Sequence, residues 1–306
     1  MLKVIINKLI HQFTSGEIYT ILTILLFNLV VIYCLFIDFS IYKTFLFNSF
    51  LILIVFFAST YFNKKNNFGV IRQIYLVPFI FLVYSNVKSI IHVLFERDFD
   101  SYLIQIDEFI FGTQPAFLLE KIINPYLTEY LQISYFLFFF LPIIHLIELS
   151  KKDNKINFEE LTRNILFGFY FSYLLYLFIP AIGPRFTVFD FSTLSNDLPG
   201  VFITEYLRGI VNVGGGIPID SLNPMADVNR DCMPSGHTMM TLINMYFAYK
   251  FKSKLRFFYY IIGFSLIFAT IYLRYHYFID IIAGILFAYI SIVLEKKIFT
   301  KIKKNV

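Results

Sequence analysis

"YLRYHYFIDIIAG", residues 272–284, sets Arg274, His276 and Asp280 at the head of a segment that otherwise reads as lipid-soluble. Charge in or beside a membrane span is expensive and by default marks function. His276 and Asp280 stand four residues apart, so on a helix they stack on one face. A carboxylate there accepts a hydrogen bond from one ring N–H. It thereby fixes the tautomer and leaves the lone pair of the other nitrogen pointing outward. Such an imidazole is an activated nucleophile.

The surrounding chain supports a membrane setting. Of 306 residues, 58% are hydrophobic and only 15% charged, against roughly 25% charged in a water-soluble domain. Mean hydropathy is positive. The composition predicts an all-α, polytopic membrane protein with about eight transmembrane helices. The apolar runs fall near residues 18–38, 42–62, 73–95, 128–149, 162–182, 236–250, 257–274 and 277–295. Residues 1–72 read as N-terminal transmembrane helices, 73–295 as a membrane core and 296–306 as a basic cytoplasmic tail. The N-terminal stretch, with Lys3 and Lys8 before a long apolar run, reads as an uncleaved anchor.

Most of the 26 basic residues fall in alternate loops, around Lys64, Lys151, Lys252 and Lys297 among others. By the positive-inside rule both termini are cytoplasmic and the loops carrying the histidine motifs are extracytoplasmic. This placement accounts for the net charge of +5 without a nucleic-acid partner. With no Trp, the 22 Tyr are left to supply the interfacial belt. Cys34 and Cys232 have neither disulfide-framework nor zinc-ribbon spacing. Residues 96–127 mix acids with Leu, Ile and Phe like an interfacial or re-entrant segment. Residues 186–235 form a long acidic loop with a Gly214–Gly216 run, either a functional element or plain connection.

Two further fragments bear chemistry. In "RDCMPSGHT" (residues 230–238), Pro234 ends the loop, Ser235 is a candidate N-cap and Gly236 lets a ligand approach the backbone. The helix start is an anion site, and His237 on its first turn can protonate a leaving oxygen. In "IPAIGPRF", Arg185 stands just outside the fifth apolar run. A guanidinium fork suits phosphate oxygens, and Arg230 and Arg274 are further candidates. His11, His92 and His145 have no motif around them.

An arginine after a span, then Pro-Ser-Gly-His, then His-x3-Asp resembles the type 2 phosphatidic acid phosphatase superfamily. Residues 234–237 match its second motif in full, and "YLRYHYFIDIIAG" matches the end of its third with the Ala-Gly continuation. The resemblance implies a helical-bundle phosphatase core with His276 as the phosphorylated nucleophile. Asp280 would orient it and His237 would serve as acid for the leaving group, while Ser235, Gly236 and Arg185 hold the phosphate. Thr270 stands where the third motif has its arginine, and Phe178 where the first has lysine. Arg230 and Arg274 are the available replacements. "IDEFIFGTQP" (106–115), "GPR" and "RDCMPSGH" look like the inositol phosphorylceramide synthase branch.

The expected activity is therefore metal-independent cleavage of a lipid phosphoester through a phosphohistidine, with no cofactor. The phosphoryl or phospho-headgroup passes to a lipid hydroxyl (inositolphosphotransferase-like) or to water (lipid phosphate phosphatase). The partners are a phospholipid, a lipid hydroxyl acceptor in the transferase reading, and the bilayer. Two alternatives stay open: a non-catalytic lipid transporter or scaffold, and a zinc hydrolase using the same two His and one Asp.

Overall fold

The computed structural model describes residues 12–64, 70–151 and 155–305. His11, Lys3, Lys8, Lys65 and Lys152 lie outside the described residues, as do the first eleven residues ahead of the apolar run of the expected anchor. All the secondary structure described is helical. In chain order the longer helices are α1 (Ser15–Cys34), α2 (Tyr42–Lys64), α3 (Val77–Leu94), α4 (Asp100–Phe111), α5 (Pro125–Phe136), α6 (Leu141–Ser150), α7 (Lys155–Tyr176), α8 (Thr204–Gly214), α9 (Gly236–Lys250), α10 (Arg256–Tyr272) and α11 (Phe278–Asn305).

Among the described residues, four stretches, Ser15–Cys34, Phe39–Lys64, Val70–Leu94 and Phe278–Lys301, are long and apolar enough to cross a bilayer. The pair Pro125–Phe139 and Leu141–Ser150, bent by 53°, makes a fifth if it is one span. Helices stand at all of the expected positions, but three fall short of a span, so the count of about eight is not shown. The first half of α7 carries Lys155, Glu159, Glu160 and Arg163. Helix α9 has 15 residues and α10 has 17, or about 22 and 26 Å of rise against a hydrocarbon layer of about 30 Å.

The chain gathers into two compact units. One comprises residues 1–96, 149–174 and 290–306. Its buried charges are paired, as lipid requires. Glu17 completes a capping box with Thr14 and takes the Arg72 guanidinium at 2.8 Å, both side chains being fully buried. Glu295 pairs with Arg163 at 2.8 Å and accepts from Tyr19 and Asn164. Asn86, which interrupts the third apolar run, donates to Asn48 at 2.6 Å.

The second unit comprises residues 97–148 and 175–289. Helices α5, α9 and α10 pack side by side, and Gly263 lets α10 approach Thr241 and Met245 of α9. Leu131, Tyr135, Ala269, Tyr272 and Tyr275 form part of its core. The motif residues all belong to this unit.

Candidate active site

The YLRYHYFID stretch is a helix end followed by a helix start. Helix α10 stops at Tyr272, and Arg274 adopts a left-handed conformation with φ 64°. Arg274 N–H bonds Ile271 O at 2.9 Å and Tyr275 N–H bonds Thr270 O at 2.9 Å. This is the Schellman arrangement, with arginine where glycine is usual. Its carbonyl accepts from Arg185 N–H at 3.1 Å, joining the GPR turn to the third motif. Gly183 in that turn has φ 95°, and a Cβ there would stand 2.7 Å from Tyr275 O. Only glycine meets both demands.

His276 therefore precedes α11 rather than riding on it, and its pairing with Asp280 runs across the helix N-terminus. Asp280, at the third helical position, reaches back to Tyr277 N–H at 2.8 Å, half of a capping box. Nδ1 of His276 stands 2.9 Å from Cys232 O and 3.3 Å from Asp280 Oδ2. The carbonyl is the nearer acceptor, a partner the sequence could not name. Either acceptor demands N–H at Nδ1. Nε2 then keeps its lone pair and faces His237 Nδ1 at 3.4 Å.

Ser235 is the N-cap of α9, its hydroxyl accepting from Thr238 N–H, while its own N–H donates to Asp280 O at 3.0 Å. The N–H groups of Gly236 and His237 find no acceptor among the described residues, which suits an anion at this helix start. Gly284, from the Ala-Gly continuation, is what lets α9 and α11 close up. A Cβ there would stand 2.8 Å from Ser235 O. His237 stacks on Tyr135, which stacks on Tyr275. The Arg185 guanidinium lies over the far end of that stack, 4.8 Å from the Tyr275 ring, and Nη1 donates to Asn212 Oδ1 at 2.7 Å.

Arg274 and Arg230 are differently engaged. The sequence offered Arg274 as a further candidate for binding phosphate. The structure gives it Asp197 at 2.6 Å and Glu120 at 3.4 Å, with its guanidinium 3.7 Å over Phe189. Its charge is thereby already engaged by carboxylates. It stands outside the helix, which ends at Tyr272. Arg230 pairs with Asp98 at 2.8 Å.

Cys232, His276 and Asp280 bring a thiol, a ring nitrogen and a carboxylate oxygen within 4.8 Å of one another, a possible metal group. Its bonding argues against that use. An Nδ1 that donates to Cys232 O is no ligand, and Cys232 Sγ lies 3.0 Å from Asp280 Oδ2 as a donor. Burial and the adjacent Asp280 carboxylate push the thiol well above its ordinary range, so it stays protonated.

Two buried aspartates on one face of α4 hold the site by its main chain. Asp100 accepts from Ile182 N–H, Gly183 N–H and Tyr277 Oη at 2.7–3.0 Å. Asp107 accepts from Phe278 N–H at 2.7 Å and Ile279 N–H at 3.0 Å, capping α11 from outside. Sequence reading passed over both. The only signal was their seven-residue separation in an apolar helix.

A family model described as the PAP2 superfamily matches residues 102–294. The chain belongs to the PAP2 superfamily. No curated protein and no solved structure matches it. Membership in the PAP2 superfamily suggests a lipid phosphatase or phosphotransferase, and the matched span contains every motif residue described above.

Proposed function

We propose that this PAP2 protein cleaves a lipid phosphoester through a phosphohistidine at His276 and passes the phosphoryl or phospho-headgroup to a lipid hydroxyl or to water. One observation carries the reading: His276 holds its proton at Nδ1 between two acceptors and turns Nε2 toward His237. Nε2 attacks phosphorus as the P–O bond to the leaving group breaks, and His237, held as the imidazolium by the bound phosphate anion, gives that oxygen a proton. The acceptor O–H then attacks the phosphohistidine, returning its proton to His237 and freeing Nε2. Asp280 stabilises the imidazolium character that develops. Arg185 and the N–H groups at the start of α9 hold the phosphate oxygens. The step uses no metal. Both termini lie on the cytoplasmic side and the pocket opens on the other.

Transfer to a lipid hydroxyl is the favoured branch, on the likeness of "IDEFIFGTQP" and "RDCMPSGH" to inositol phosphorylceramide synthases. Purified protein in detergent, given a panel of labelled phospholipids with and without a lipid alcohol, distinguishes the outcomes. New phospholipid products mark the transferase, released phosphate the phosphatase. No product, with binding intact and His276→Ala indistinguishable from wild type, would leave the transporter or scaffold reading. Activity that survives a chelator excludes the zinc alternative.

A further inference from the structure

The long loop between residues 186 and 235 contains α8, and α8 has an apolar face that the protein does not cover. Tyr206, Ile210 and Val213 are spaced at i, i+4 and i+7 and exposed at 72%, 38% and 49%. Phe202 and Ile203, just before the helix, extend the stripe and are also exposed. The inner side is separately satisfied. Leu207 is buried, Val211 packs on the core cluster around Tyr135 and Tyr275, and Arg208 bonds Glu205, Ser195 and Leu198 O. The exposed stripe is therefore a second apolar face, adjacent to the one the fold uses.

What covers it follows from where the helix is pinned. Glu129, in the second turn of α5, accepts from the N–H groups of Val201, Phe202, Ile203 and Thr204 at 2.8–3.2 Å. The start of α8 is thus held at the level where α5 begins. Glu129 is flanked on α5 by Tyr126 and Tyr130, both exposed, the residue type that marks the headgroup level. An amphipathic helix at that depth puts its apolar face some 5–10 Å into the acyl boundary.

We propose that α8 lies in the interface of the bilayer, with Phe202, Tyr206, Ile210 and Val213 seated in lipid and its other side holding the site. Asn212, about 100° around the helix from Val213, is the residue that accepts from Arg185. Seating in lipid thereby fixes the helix that orients the arginine. The placement does not depend on the reaction proposed above.

The test uses the full chain with one added cysteine, at Tyr206, Ile210 or Glu205, labelled with an environment-sensitive fluorophore and reconstituted in phosphatidylcholine vesicles. Cys34 and Cys232 are both buried, and labelling of the unaltered chain gives the background. Labels at 206 and 210 should be quenched by lipids brominated on the acyl chain and protected from iodide, while 205 shows the reverse. Iodide quenching at 206 and 210 without bromolipid quenching would overturn the proposal. So would cross-linking between two copies through Ile210→Cys without bromolipid quenching, which would make the occupant a second chain.

Discussion

His276→Ala should abolish turnover and eliminate the acid-labile phosphoprotein that a rapid quench with labelled lipid would trap from the unaltered protein. Asp280→Asn should slow the reaction strongly while leaving lipid binding intact; the equivalent change in serine proteases costs about 10⁴ in rate. At Arg274 the backbone and the charge can be separated. Arg274→Gln keeps a left-handed non-glycine residue, which costs about 1 kcal/mol or more, and loses the Asp197 and Glu120 pairs. Arg274→Gly loses the same pairs but relaxes the backbone. Both should melt below wild type, Gln lower than Gly, with kcat per folded molecule retained; a collapse of kcat in both would return Arg274 to the phosphate. The grouping of His237, His276 and Asp280 was legible in the sequence because short-range spacing and a four-residue string carry it. Tyr135 and the Cys232 carbonyl were not. A stacking ring 102 residues away from its histidine leaves no local pattern, and a carbonyl leaves none at all.

At the scale of elements, apolar runs located the helices well but not their ends, which are set by caps. Helix α10 ends where Arg274 turns left-handed and α11 begins where Asp107 and Asp280 supply acceptors. Asp107 offers a pH test. Burial raises its carboxyl from 3.8 to about 6, outweighing the two amide bonds that favour the ionised form. Folding therefore takes up a proton between those values, and the stability this group contributes is present at low pH and lost as pH rises through about 6. Asp107→Asn does not titrate, and its carbonyl oxygen still accepts. The wild type should lose melting temperature relative to this variant as pH rises from 4 toward 7, then run parallel to it; a constant difference over the whole range would refute the assignment. Gly284→Ala tests the closure of α9 on α11. Its Cβ meets a backbone oxygen at 2.8 Å, so the helices must part. Activity should fall more than helix content.

For the whole molecule, the lysine pattern makes a topological prediction. Single cysteines replacing Lys151 and Asp220, both exposed, should react with an impermeant reagent from opposite sides of the membrane. Reaction from one side would break the alternation from which an extracytoplasmic site is proposed. Another property of the second unit is distributed rather than local. Asp100, Asp107, Glu129 and Glu148 each grip main-chain N–H groups of a distant turn. Every residue except proline carries that N–H, so the grip itself does not read the side chain of the gripped residue, and the glycine at Gly183 answers to a separate demand, its φ and the nearby Tyr275 O. Saturation mutagenesis should read accordingly. Exposed Lys254 should tolerate most replacements apart from proline, whereas Asp100, Asp107, Glu129 and Glu148 should resist nearly all. Drift among descendants of this chain would then blur the exposed turn at Lys254 long before it touched the acid that grips it.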